Sequence, residues 1–361
     1  MILPALLNRL EPEALIRTFL RHPPQDFRAW LFNDTLPVFA ARFDLLTTAE
    51  PGFRQTVMRL PLYRQWGKWL QPRTCFVGTT VSEYMLLPAD TPAAGLVAGL
   101  RRELTPEYPF LIIKDIPQDS PLLDAAANSA CHELVRCCEA AGFIMVEGQA
   151  LAWTPVDAAS TDDYLQRLSG SRRKDIRRKL KKRDGLQIDD IPTGSPCFSD
   201  PVVLAEYYAL YHQVFAQSAI HFDLLTPAFF HELLQDAANS GVVFSYRRDG
   251  KLIGYNICFV VGDTLVDKYI GLHYPEAREN NLYFISWFHN LDYARDKGLT
   301  RYIAGWTDPE IKAALGAQFT FTRHAVYIRN PLVRAVLRRL SRFFENDRDW
   351  RERHQAVDIT P

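Results

Sequence analysis

The chain has no excess of charge of either sign: 42 Lys and Arg stand against 42 Asp and Glu over 361 residues. A protein that coats nucleic acid over its whole surface is excluded, whereas a local basic site is not. No run of about 18 apolar residues occurs, so no membrane-spanning helix is expected. The first residues, MILPALLNRLEPEALIRTFL, are broken by Pro4, Arg9, Glu11 and Glu13, and read as neither a secretory signal nor a span. Cysteine is sparse. Cys75, Cys131, Cys137, Cys138, Cys197 and Cys258 fit no metal-ligand spacing and are expected as reduced core thiols of a cytoplasmic protein. The first 155 residues contain no phosphate-loop glycine pattern and no clear catalytic group. His289 and Asp292 lie three apart with no third ligand in sight, so no metal site is expected.

What the chain does have is apolar mass. It is 47% hydrophobic and 12% aromatic, with length for about two domains. After a helical arm reaching about Arg28, strands and helices alternate to about Pro155. Leu36–Leu46 and Cys75–Thr80 read as extended. Phe110–Ile116 is a continuous apolar run typical of a central strand. Leu122–Ala141 is helical and ends at Gly142, and Phe143–Trp153 is strand-rich. This is one α/β domain.

Ser160–Asp163 forms a capping box. It opens a helix expected to continue through YLQRLSGS into RRKDIRRKLKKRDG. Nine of the twelve residues Arg172–Arg183 are Lys or Arg. Such a run is either a solvated helix face or an anion site. A second domain follows. Gln187–Ile191 is a strand and Pro201–Ala216 a helix. Thr226-Pro227 starts another helix. Val242–Arg247, the Asp249-Gly250 turn and Leu252–Val261 make a hairpin. Thr264–Leu272 completes a meander after the Gly262-Asp263 turn.

Asp267–Arg329 then reads strand, loop, helix, strand, short helix and two last strands. Leu282, Ile285, Trp287, Phe288, Leu291 and Ala294 follow a helical stripe, which Lys297-Gly298 closes. Arg301–Gly305 is strand-like again. A strand–helix–strand unit of this kind implies parallel pairing. It leaves the helix start, near Asn280 and Asn281, as a natural place for an anion. By the two-residue period Asp267 and Tyr269 share one strand face, with Lys268 on the other and His273 at the strand end. Thr307-Asp308-Pro309-Glu310 is a helix start, with Asp308 as its cap. Leu332, Val333, Val336, Leu337, Leu340, Phe343 and Phe344 form the apolar stripe of an Arg-rich terminal helix. That helix either docks on the protein or contacts a membrane surface or RNA.

This order resembles the GCN5-related N-acetyltransferase (GNAT) fold, and more closely its Fem-type branch with two GNAT-like lobes. Three stretches carry the resemblance. In LSGSRRKDIRRKLKKRDGLQI, Arg173, Asp175, Ile176 and Arg177 occupy the family's R-x-N-I-R pattern, with Asp for Asn. LYFISWFHNLDYARDKGLTRYIAG is similar to its Y-x-L-x-W helix, glycine and strand. In EIKAALGAQFTFTRHAVYIRNPLVRAVLRRL, Ile311, Lys312, Leu315, Gly316 and Asn330-Pro331-Leu332 match F-K-x-x-F-G and the closing N-P-L. The long helical hairpin of some Fem-type enzymes is absent.

The resemblance implies an α/β (α+β) fold of tandem GNAT-like lobes, each a mixed twisted sheet flanked by helices. On the sequence they divide as 1–155 and 156–331, with 332–361 a terminal helix. It implies N-acyl transfer to a small-molecule or peptide amine, the donor lying where the fourth and fifth strands of the second lobe splay apart. Acyl-coenzyme A leads as donor and aminoacyl-tRNA follows; a non-catalytic binding module is the alternative. Arg278, Asn280, Asn281, Leu282 and Tyr283 sit where coenzyme-A enzymes carry [QR]-x-x-G-x-[GA]. Arg278 fits, Asn281 tolerates the left-handed geometry of the Gly, and the bulk of Tyr283 departs from the pattern. The lysine matching Lys312 stabilises negative charge near the acyl carrier in the family. Arg173 and Arg177, on one helix face, are expected to grip one anion. Asp267 and His273 are the candidate bases, and Tyr269, Trp306 and Asp308 the candidate pocket lining.

Overall fold

The computed structural model describes residues 4–47, 51–218 and 221–340. Eleven strands form among them: β1 (Arg28–Phe32), β2 (Leu36–Arg42), β3 (Arg73–Val77), β4 (Phe110–Gln118), β5 (Ile144–Pro155), β6 (Gln187–Pro192), β7 (Gly241–Arg248), β8 (Lys251–Val261), β9 (Thr264–Leu272), β10 (Arg301–Gly305) and β11 (Gln318–Ile328). The chain divides into two compact units. One gathers Met1–Arg9, Asp26–Ala150 and Thr320–Pro361; the other gathers Leu10–Gln25 and Leu151–Phe319.

This division differs from the one expected at 155/156 and 331/332. The helical arm belongs to the second unit because Glu232 holds it: Thr18 Oγ1 donates to Glu232 Oε1 at 2.7 Å, and His22 Nε2 lies 3.0 Å from Oε2. Near 320 the chain returns to the first unit along β11, one long strand where two were expected. No turn residue interrupts Gln318–Ile328, so nothing divides it.

In the first unit β1 and β2 form a hairpin whose turn residues Asn33 and Asp34 both have positive φ. β2 pairs antiparallel with β3, β3 parallel with β4, and β4 antiparallel with β11. The inward residues Val38, Cys75, Val77, Leu111 and Ile113 meet Leu100 and Leu134 of the covering helices in one core.

In the second unit β5 and β10 are antiparallel, β10 and β9 parallel, and β9, β8, β7 and β6 an antiparallel meander. The Asp249-Gly250 turn takes left-handed φ at both residues, as the hairpin requires. One face carries Tyr246, Cys258, Leu265 and Leu272 against Ile285 and Phe288 of the helix Leu282–Asp296. The opposite face buries aromatic rings: Tyr207 and Tyr255 meet at a tilt with centroids 4.8 Å apart, and Tyr269 lies beside Phe229 and Phe230.

The cationic stretch is not one helix with the capping box. Thr161–Gln166 ends, and a separate helix, Gly170–Leu180, starts after Ser169. Four cysteines are buried as expected, but Cys197 is exposed. Of the terminal apolar stripe, the helix Pro331–Leu340 is seen; Phe343 and Phe344 lie outside the described residues.

Candidate active site

The parallel pairing of β9 with β10 is short. It runs from Arg301↔Thr264 to Ile303↔Val266 and stops. β9 continues to Leu272 on β8 alone, while β10 ends at Gly305 with φ 80°. Two irregularities coincide at this fork. β10 shifts register against β5 between Ile303 and Gly305, and β9 bulges against β8, so that Cys258 faces Asp267 and Ile257 faces Tyr269. Lys268 is the extra residue. Past Val266 the β9–β10 ladder ends among the described residues; β9 runs on to Leu272, β10 stops two residues past Ile303 at Gly305, and this fork is the wedge.

The bulge overturns the face assignment read from the period of two. One inserted residue reverses the alternation. Asp267 therefore points with Cys258 toward the helix Leu282–Asp296, while Tyr269 points toward Phe229 and Phe230 on the other face.

Lys312 lies at the root of the wedge. It is only 4% exposed, and its Nζ donates to the carbonyls of Ala304 at 2.6 Å and Gly305 at 3.1 Å, the last two residues of β10. A buried ammonium requires such partners. Its charge reaches Asp267, whose carboxyl it pulls down. The Asp267 carboxylate accepts from Asn256 Nδ2 at 3.1 and 3.2 Å, from Asn290 Nδ2 at 3.0 Å and from the Tyr302 hydroxyl at 3.0 Å. Burial nevertheless outweighs these partners and raises the proton affinity of the carboxyl above its ordinary value.

Asn256, Asn290 and Tyr302 stand at no motif position of the sequence. The available signal was polarity out of place: Asn256 interrupts the apolar run Leu252–Val261, and Asn290 sits in the buried stripe of the long helix.

The start of that helix is built from the expected residues in unexpected roles. Asn281 is left-handed, at φ 54°, but makes no side-chain cap. Asn280 is buried; its Nδ2 donates to the Glu276 carbonyl at 2.8 Å and its Oδ1 accepts from Arg248. Arg278 donates to Gln217 at 2.7 Å and lies over the Tyr274 ring. Leu282 is core, packed where a side chain on Gly254 would stand. The Tyr283 hydroxyl is buried without a hydrogen-bond partner among the described residues. Burial, then Asp308 and Asp267, raise its pKa.

Two cations missed by the sequence reading join this place from the basic helix and the turn after it. Lys179 Nζ stands 3.5 Å over the Phe284 ring, and Lys182 donates to the Glu279 carbonyl.

Other candidates fall elsewhere. Arg177 is held by Asp162 at 2.8 Å, whereas no hydrogen bond or ion pair fixes the Arg173 side chain among the described residues. The two therefore do not act as one grip. His273 Nδ1 lies 2.7 Å from Glu276, which also pairs with Lys251; Lys251 first, then a backbone N–H and His273, hold the Glu276 carboxyl down to about 2. Five residues, one of them the bulged Lys268, lie between Asp267 and His273 and hold them roughly 17 Å apart along the strand. Asp308 is left-handed at φ 53° and exposed, so its side chain does not cap the Lys312 helix as expected. Trp306 is half-buried just beyond β10. Among the described residues no group of three or more His, Cys, Asp or Glu side chains comes together as a metal site, and no helix is long and apolar enough to cross a membrane.

Known proteins share this architecture. FemX matches with a TM-score of 0.52 and 12% identity, over 92% of this chain and 94% of that one. L-PGS from Bacillus licheniformis matches with a TM-score of 0.52 and 11% identity, over 92% and 98%. At such identity the likeness establishes the shared fold, tandem GNAT-like lobes of the Fem type. No functionally curated protein matches the sequence. The FemAB-like profile, described as peptidoglycan biosynthesis/recognition, covers residues 112–357. That span is well over half of the sequence, and the chain accordingly belongs to the FemAB-like family.

Proposed function

We propose that the second unit is an N-acyltransferase that moves an acyl group from acyl-coenzyme A to a small-molecule or peptide amine. The observation that supports this reading is the fork at Val266 and Ile303. The β9–β10 ladder ends there while β9 runs on to Leu272, and a thin, amide-bearing carrier arm can enter at such a fork. The thioester carbon then lies near the fork. The acceptor nitrogen attacks that carbon and a tetrahedral oxyanion forms. The carbon–sulfur bond breaks, the new amide keeps the acyl group, and the thiolate leaves with a proton. The Lys312 charge, fixed on Ala304 and Gly305, offsets the developing negative charge without moving. Asp267, at the root and with raised proton affinity, is the proposed acceptor of the amine proton.

A specific observation favours a second donor, aminoacyl-tRNA. Arg172, Lys174 and Arg178 of the basic helix face solvent, Arg173 has no hydrogen-bond or ion-pair partner among the described residues, and the bulk of Tyr283 departs from the small residue of the coenzyme-A pattern. The same attack on an ester carbon would release the ribose hydroxyl. Calorimetry with acetyl-coenzyme A and, separately, charged tRNA tests both donors; no heat from either sinks the assignment. Turnover lost in Lys312→Ala with donor binding kept supports the enzyme over a binding module.

A further inference from the structure

The first unit carries a surface that neither its core nor the proposed chemistry explains. From Pro51 to Ser82 the sequence has no Asp or Glu, while Arg54, Arg59, Arg64, Lys68 and Arg73 supply five cations. The segment forms the helix Pro51–Met58, a turn at Tyr63–Trp66 and a 3₁₀ turn at Gly67–Leu70. It is tied down at its base, where Leu45 N–H donates to the Leu70 carbonyl at 2.9 Å and Phe43 N–H to that of Pro72. Internally, Trp66 Nε1 donates to the Pro61 carbonyl and its ring meets Tyr63 edge-on at 5.2 Å. Four apolar side chains of the segment face water: Trp69 is 82% exposed, Leu62 66%, and Met58 and Leu60 each 48%. Apolar groups of this size clustered on one segment mark an interaction surface.

A second element has the same character. Leu337 of the helix Pro331–Leu340 packs on Phe110, Ile144 and Ile328, the cluster that also takes Leu45. That helix leaves Leu332 77% exposed and Val336 open to water; Arg334, Arg338 and Arg339 accompany them, with no acidic residue.

We infer that the first unit docks on an anionic lipid surface through Pro51–Arg73, assisted by Pro331–Leu340. An exposed tryptophan with aliphatic neighbours, and Arg54, Arg59, Arg64 and Lys68 on a segment without acidic residues (Arg73 pairs with Glu107), match the headgroup layer in both polarity and charge. RNA would satisfy the cations but leave Leu60, Leu62 and Met58 with no gain, so the bilayer is the occupant that accounts for both.

Flotation of the full chain with phosphatidylcholine vesicles, with and without phosphatidylglycerol, tests this. Binding is expected only to the anionic vesicles and weakens with salt. The variant Arg59→Gln, Arg64→Gln, Lys68→Gln should lower partitioning on the order of a hundredfold. The variant Leu62→Ser, Trp69→Ser should lower it about tenfold or more, with an unchanged thermal midpoint because both side chains are exposed. Brominated lipid chains should quench the fluorescence of the wild-type protein, and Trp69→Leu should remove most of that quenching. The inference is overturned by an absence of flotation with anionic vesicles, by equal binding to neutral ones, or by full binding of the Leu62/Trp69 variant. RNA binding that depends on the three cations but not on Leu62 and Trp69, without flotation, would overturn it in favour of a nucleic-acid surface.

Discussion

Replacing Lys312 by Met should lower both stability and turnover, and should do so with a particular pH dependence. Met keeps the apolar stem and the approximate volume, so what is lost is the ammonium. Its removal leaves the Ala304 and Gly305 carbonyls without their donor in a buried place. Each orphaned acceptor costs roughly 1–3 kcal/mol, and about 3 kcal/mol for the pair is a conservative figure. For a unit of this size that is a fall of about 6–12 °C in melting temperature. Asp267 adds the pH dependence. Its folded-state pKa lies above the ordinary carboxylate value because of burial, so the native state binds this proton more tightly than the unfolded chain does. Stability from this group is present at low pH and is lost as pH rises from the unfolded value through the folded one. Lys312 is one of the groups that limit that rise. Without it the folded pKa climbs further, and the variant should lose more stability relative to wild type near pH 8 than near pH 5. Turnover should fall on the order of a hundred- to a thousandfold, the usual effect of removing one fixed charge from a developing oxyanion. Differential scanning calorimetry at both pH values, with a thiol-release assay, gives all three readings. A melting temperature within about 2 °C of wild type at both pH values would show that Lys312 is not a buried, carbonyl-held cation.

Tyr283→Phe removes a buried hydroxyl that has no hydrogen-bond partner among the described residues. Stability should hold or rise by about 1 kcal/mol, measured by urea unfolding, and a fall in turnover on that background would place the hydroxyl against the donor. Gly305→Ala has space for its methyl group, the Asp267 carbonyl being 3.8 Å away, but must adopt φ 80°. It should cost about 1 kcal/mol in the same assay and raise KM for the donor by shifting the end of β10. In the first unit, the His324 Nδ1 accepts the Asp115 N–H at 3.0 Å, and burial lowers the pKa of the ring. A folded pKa below the unfolded one means full stability above about pH 6.5 and progressive loss below it. The melting temperature of His324→Gln should therefore respond less to acid than that of wild type.

Much of the second unit was legible because its signals are local. The Asp249-Gly250 turn, the Thr226 cap and the Gly298 stop each act within a few residues, and each forms as expected: Thr226 Oγ1 accepts from Phe229 N–H, and Gly298 is left-handed at φ 67°. Parallel pairing of β9 and β10 followed from the helix between them. What the sequence could not announce was non-local. The bulge at Lys268 arises from two strands of unequal count, so strand periodicity placed Asp267 and Tyr269 together when they face apart. The arm at Glu13–Arg21 belongs to the second unit through Glu232, more than 200 residues away. At the candidate site, Lys312 is buried on the carbonyls of β10, and the Asn256–Asn290–Tyr302 set around Asp267 draws on three separate elements. Arg177, by contrast, had a nearer partner in Asp162 than any ligand.

Hydrogen exchange along β9 provides the deciding measurement. If the wedge holds the donor, acetyl-coenzyme A or charged tRNA will slow exchange of backbone amides between Asp267 and Leu272, with little change in β7. Unchanged exchange there with both donors, or protection confined to the first unit, would contradict an acyl carrier lodged between β9 and β10.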